Sequence, residues 1–113
     1  MPFLKPESIE AMMRPAWTFN GTNGDTTGGF YCAYGLATQV LPTRTEGCRD
    51  DLFGGRVAAG HAGEAFGLLS GLWIDRTRGV GIAYFATANG EQTGSTGSAY
   101  ESIEAWLARR IRD

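Results

Sequence analysis

The residues best placed to do chemistry lie around His61, the only histidine in the chain. It stands in the stretch Gly60-His-Ala-Gly63, with small residues on both sides. Small flanking residues let a ligand approach the backbone, and an imidazole can donate a hydrogen bond or titrate near neutral pH. A lone histidine is also often a surface residue or a satisfied core residue, so both readings stand at this level. The other candidates are thinner. One histidine leaves a metal ion to be held by carboxylates at spacings that do not occur here, so no metal site is expected. Asp50 and Asp51 point to opposite sides of an extended chain and read as solvated loop charges. None of Ser8, Ser70, Ser95, Ser98 and Ser102 sits in a G-x-S-x-G turn, and the only lysine is Lys5. The glycine-rich segment at 21–29 lacks the following lysine or helix of a phosphate loop. Asn20-Gly-Thr22 matches a glycosylation pattern that three residues often match by chance. Cys32 and Cys48 lack redox spacing and leave two readings, a disulfide or two inert thiols.

These residues must be positioned by the elements around them. Pro6 suits a first helical turn, Ile9, Met12 and Met13 share a helical face, and Pro15 ends the helix. Residues 18–29 are dense in turn formers. Phe30 to Leu41 alternates loosely and reads as one strand ending at Pro42, followed by a polar loop over 43–55. Arg56 to Gly60 reads as a short strand running into His61-Ala62-Gly63. Leu68–Asp75 and Val80–Thr87 are apolar, and the short connector Arg76–Gly79 makes them an antiparallel hairpin. A polar loop follows at 89–97. Ser98 and Glu101 have the spacing of a capping box, and Tyr100, Ile103, Trp106, Leu107 and Ile111 form an apolar stripe. Glu101 and Glu104 early, with Arg109, Arg110 and Arg112 late, complement the helix dipole. The expected class is α+β: an antiparallel sheet packed by an N-terminal and a C-terminal helix. Trp73, Ile74, Val80, Ile82, Tyr84 and Phe85 should line the sheet, with alternating members facing the C-terminal helix, and a buried Trp106 would make Trp106→Ala cost about 3–5 kcal/mol.

Composition bounds the function classes. At 113 residues the chain reads as a single unit over 1–113, and 42% hydrophobic with 19% charged residues is ordinary for a globular domain. A net charge of −2 builds no basic patch, so nucleic acid is not an expected partner. No apolar run approaches the ~20 residues of a membrane span, and the start lacks the regions of a signal peptide. Glycine, at 17 residues, is about twice its average share and falls beside apolar runs, which marks turns or close backbone approach.

Tyr34-Gly-Leu36, Gly60-His-Ala-Gly63, Gly67, Ser70, Asp75, Gly79-Val-Gly81 and Thr87-Ala-Asn89 follow one another in an order that resembles the end of the serine β-lactamase and penicillin-binding protein superfamily. The likeness is nearest to its class C-like esterase and D-aminopeptidase branch and runs from about Phe30 to the C-terminal helix. It implies a partial β-lactamase/transpeptidase-like fold in which His61-Ala62-Gly63 stands at the Lys-Thr-Gly motif of the active-site strand. By resemblance His61, Ala62 and Gly63 would contact substrate, and the backbone N–H of Glu64 would be an oxyanion-hole donor, worth about 2.7–4 kcal/mol in the transition state. Ala62 lacks the hydroxyl of the usual threonine, and His61 lacks the permanent charge of lysine. Both departures tilt the parent activity from β-lactams toward ester or peptide hydrolysis.

Neither Ser-x-x-Lys nor Tyr-x-Asn occurs, and without the activated serine there is no acyl-enzyme. The chain is therefore expected to be a C-terminal portion of such a hydrolase, silent by itself and without a cofactor. Its parent would take a small-molecule or peptide substrate. A periplasmic or secreted location would follow if Cys32 and Cys48 pair and the parent carries a signal sequence. The alternative is a non-catalytic binding or self-assembly module. An uncovered sheet edge invites a homodimer or a strand-swapped assembly.

Overall fold

The structure, a computed structural model, describes residues 3–87 and 99–111. The elements run α1 (Pro6–Met13), β1 (Trp17–Thr18), β2 (Ala33–Tyr34), β3 (Gln39–Leu41), β4 (Ala58–Ala65), β5 (Leu68–Asp75), β6 (Val80–Ala86) and α2 (Ala99–Ala108). All six strands join in one antiparallel meander in chain order. The class is α+β, as expected. The loop at 89–97, the cap at Ser98, Asn89, and the side chains of Tyr100 and Glu101 lie outside the described residues.

Two strand readings needed correction. Phe30–Leu41 is not one strand: β2 and β3 are two short strands folded back at Gly35–Thr38, where Gly35 N–H donates to Thr38 O at 2.8 Å and Ala37 takes φ 55°. The tight turn interrupts an apolar run that periodicity alone joins up. His61-Ala62-Gly63 does not follow a strand but lies inside β4, which continues to Ala65.

The hairpin β4–β5 is long because its connection is tight. Phe66 and Gly67 alone join Ala65 to Leu68, both with positive φ (51° and 77°), the signature of a type I′ turn. Its twist matches that of the strands, but a left-handed conformation costs an L-residue such as phenylalanine roughly 1–2 kcal/mol. Phe66 is fully exposed and gains no packing in return. Phe66→Asn, which tolerates that conformation, is therefore expected to stabilise the chain by about 1 kcal/mol, read as a rise in thermal midpoint of roughly 4–8 °C.

The core lies between the sheet and α2. Leu41, Ala58, Ala62, Leu69, Trp73 and Ile82 from the strands meet Phe30, Leu52, Phe53 and Ala108. Along α2, Glu104, Leu107, Ala108 and Ile111 face this core, spaced i, i+3, i+4, i+7. The apolar stripe is thus rotated from its expected position. Trp106 is 47% exposed, with the Arg110 guanidinium 3.3 Å from the centre of its ring. It lies on the solvent side, so the condition for a 3–5 kcal/mol loss is not met. Trp73 and Ile82 are buried on the helix side and Phe85, on the alternate face, is 79% exposed, so alternate members face the helix as expected.

Glu104, expected to complement the helix dipole, has no exposed surface. Its Oε1 accepts from Trp73 Nε1 at 2.5 Å and from Tyr84 Oη at 2.9 Å. Gly71 makes room for this group: a Cβ there would lie 2.5 Å from the Tyr84 ring and 3.0 Å from Glu104 Oε1. Asp50 also departs from its expected place, being buried with both carboxylate oxygens on the Thr43 N–H at 2.9 and 3.0 Å. Burial pushes its carboxyl up, against the pull of those bonds. Asp51 is exposed, as expected, and accepts from Gly55 N–H at 2.6 Å.

Helix α1 rests on the other face of the sheet. Glu10 and Met13 border a shallow groove with Val40, Val57, Ala59, Ile74, Arg76 and Thr77. Arg76 Nη1 reaches Glu10 at 2.7 Å and holds its carboxyl below the usual range, while Leu36 N–H donates to Met12 O at 3.1 Å. No residue of α1 is buried, so the helix is tied to the sheet mainly by these polar links.

Cys32 and Cys48 form a disulfide. It joins the start of β2 to the 43–55 loop, beside Arg49 N–H on Gly29 O at 2.8 Å and Thr45 Oγ1 on Phe19 O at 2.8 Å.

Candidate functional site

The type I′ turn sets the direction of every backbone group along β4. The pair that closes such a turn is hydrogen-bonded, so Ala65, Gly63, His61 and Ala59 exchange bonds with β5. The N–H and C=O groups of Glu64, Ala62 and Gly60 point to the opposite edge. Strand β3 covers that edge only from Ala58 to Gly60, so β4 runs beyond it from His61 to Ala65. Gly60 marks where this begins: a Cβ there would fall 1.9 Å from Leu72 O, so only glycine fits.

His61 is exposed at this step. Its Nε2 lies 3.1 Å from Tyr34 Oη, and its Nδ1 bonds the carbonyl of Ala62. Since that carbonyl can only accept, Nδ1 is the donor, and Nε2 accepts from the tyrosine when the ring is neutral. Tyr31 completes a cluster of three rings, with centroids 6.2 Å from His61 and 5.9 Å from Tyr34, while Tyr34 and His61 are 5.8 Å apart. Tyr31 and Tyr34 carried no expected role. The signal that could have found them is the aromatic spacing of Tyr31 and Tyr34 just before the Gly35 turn.

Both phenols are held protonated. Burial pushes the Tyr34 hydroxyl up to about 12, and Tyr31 beside it adds to the shift. Burial raises Tyr31 too, helped by the charges of Glu104 and Glu64. The folded chain thus keeps the Tyr34 proton above pH 10, where the unfolded chain loses it. Stability is expected to be intact below about pH 10 and to fall as pH rises toward 12. Urea midpoints measured from pH 9 upward check this, with a shallower fall in Tyr34→Phe.

The remaining candidates divide. Glu64 is exposed, with its backbone N–H directed to the same edge as the groups of Ala62. Gly63 pairs with Ser70, whose hydroxyl donates to Gly63 O at 3.4 Å. Ala62 turns its methyl into the core, 2% exposed, so only its backbone reaches the edge. Asp50 and Asp51 are held in the 43–55 loop by the local bonds above. Among the described residues, no group of three His, Cys, Asp or Glu side chains could hold a metal ion. Among the described residues, no helix is long and apolar enough to cross a membrane.

No protein-family model matches the chain, and no curated protein or solved structure matches it.

Proposed function

We propose that the chain is a C-terminal segment of a penicillin-recognising serine hydrolase, with the edge of β4 from His61 to Glu64 forming one wall of its acyl-transfer site. The observation that supports this reading is the extension of β4 past β3, which lays an imidazole along an accessible strand edge. There a substrate could take backbone hydrogen bonds while His61, oriented by Ala62 O and Tyr34 Oη, contacts its polar end. In this role His61 is a binding and proton-holding group, and Tyr34 is a positioning residue. The attacking hydroxyl would come from a Ser-x-x-Lys segment that the 113 residues do not contain. The disulfide fits an oxidising compartment such as the periplasm or cell exterior.

The test uses the chain as it stands. No turnover of nitrocefin or p-nitrophenyl acetate is expected. An acylated D-alanyl-D-alanine peptide should shift the backbone NMR signals of His61–Glu64 and Tyr34, and His61→Ala should weaken that response. Robust turnover abolished by His61→Ala, or peptide shifts that avoid β4 altogether, would remove the proposal. A second reading, a non-catalytic binding or self-assembly module, draws on the opposite edge of the sheet.

A further inference from the structure

Strand β6 ends the sheet, pairing with β5 alone among the described residues. Because Ser70, Leu72 and Ile74 bond to β4, the alternate residues of β5 bond to β6 and engage Val80, Ile82, Tyr84 and Ala86. The N–H and C=O groups of Gly81, Ala83 and Phe85 therefore point outward. Natural sheets blunt such an edge with lysine, proline, a bulge or a covering segment. Val-Gly-Ile-Ala-Tyr-Phe-Ala contains no charge and no proline, and its register with β5 is unbroken over all seven residues. The side chain of Phe85 on this strand is 79% exposed, and Leu72 on the same face of β5 is 54% exposed.

We propose that β6 pairs antiparallel with β6 of a second copy, about a two-fold axis through Ala83. Ala83 then lies opposite the partner's Ala83, and Gly81 opposite the partner's Phe85. The outward groups at 81, 83 and 85 are symmetric about Ala83, so each gives and takes one bond and the interface is isologous. Self-pairing also places the exposed Phe85 ring across from a glycine, an arrangement in which the aromatic covers the bare backbone. No charged residue falls within the paired segment, so no like charges meet across it. Six bonds, at one per 100–200 Å², correspond to roughly 600–1,200 Å² of buried surface, the size of a weak, transient interface. The pairing is accordingly reversible and depends on concentration.

This inference rests on β6 and not on the hydrolase reading; Ala83 and Phe85 lie outside the β4 edge, so either can fail alone. Sedimentation velocity from low to high micromolar concentration should show a monomer–dimer equilibrium. Hydrogen exchange should show the amides of Gly81, Ala83 and Phe85 gaining protection as concentration rises. Ala83→Pro removes the central outward N–H, and Phe85→Lys places a charge at an exposed position where the fold has little to lose. Each should raise the dissociation constant by roughly tenfold or more, with circular dichroism unchanged at least for Phe85→Lys. A monomer at every concentration, or a dimer equally strong in Phe85→Lys with no added protection at the three amides, would overturn the proposal.

Discussion

Glu104→Ala is expected to destabilise the chain by about 3–5 kcal/mol, because it removes at once the acceptor of the buried Trp73 indole and that of the part-buried Tyr84 hydroxyl. Trp73 Nε1 and Tyr84 Oη both donate to Oε1 of this carboxylate, and Trp73 is 1% exposed, so water cannot easily replace the lost acceptor. A hydrogen bond to a charged group contributes about 1.5–3 kcal/mol, and the two here act on one oxygen, so their sum is an upper bound. Against a total stability of about 5–15 kcal/mol for a small domain, this loss would unfold a substantial fraction of the chain. Urea unfolding followed by tryptophan fluorescence measures it. Glu104→Gln keeps an acceptor oxygen and should lose far less. Trp73→Phe combined with Glu104→Ala should cost less than the sum of the two, with a coupling of about 0.5–3 kcal/mol. Additive losses would mean that the carboxylate does not hold the indole.

Loss of the Cys32–Cys48 bond is the second large effect. The cysteines are 16 residues apart in sequence, and the chain-entropy estimate for such a loop is about 3 kcal/mol. The bond reinforces a junction between the 43–55 loop and the first third of the chain that Phe30, Leu52 and Phe53 also share through the core. The Arg49 and Thr45 bonds to Gly29 and Phe19 each span the same junction and hold only while the loop stays close. Cys32→Ala with Cys48→Ala should lower the thermal midpoint by roughly 10–20 °C. A reducing agent should do the same to the natural chain and leave the variant unchanged. The loss acts largely through the unfolded chain, so native contacts at the β4 edge should survive in the folded fraction.

The functional proposal and the edge-pairing proposal both follow from one backbone feature, the type I′ turn at Phe66-Gly67. It fixes which groups of β4 and β5 face each other, and through β5 it decides which groups of β6 face outward. A shift of one residue in that register would reverse every direction on both edges. Phe66→Asn, which relaxes the turn without moving it, should therefore stabilise the chain while leaving both proposed interactions in place.

What the amino-acid sequence determined by itself was local and periodic. The apolar runs Leu68–Asp75 and Val80–Thr87, separated by the short Arg76-Thr-Arg-Gly79, read as a hairpin, and Pro6 and Pro15 bracketed α1. Proline geometry, turn chemistry and strand alternation act within a few residues, so they are legible without a fold. The tertiary structure alone decided which side of α2 is inside. Helical spacing allowed a stripe through Trp106, but the sheet meets Glu104, Leu107, Ala108 and Ile111, because the Trp73 indole and Tyr84 hydroxyl need an acceptor where the helix crosses. It also decided that Cys32 and Cys48 are bonded and that Tyr31 and Tyr34 stand against His61, thirty and twenty-seven residues away. Those pairings depend on how far β3 extends along β4, which is a matter of where two strands stop sharing an edge. No spacing within either strand encodes it.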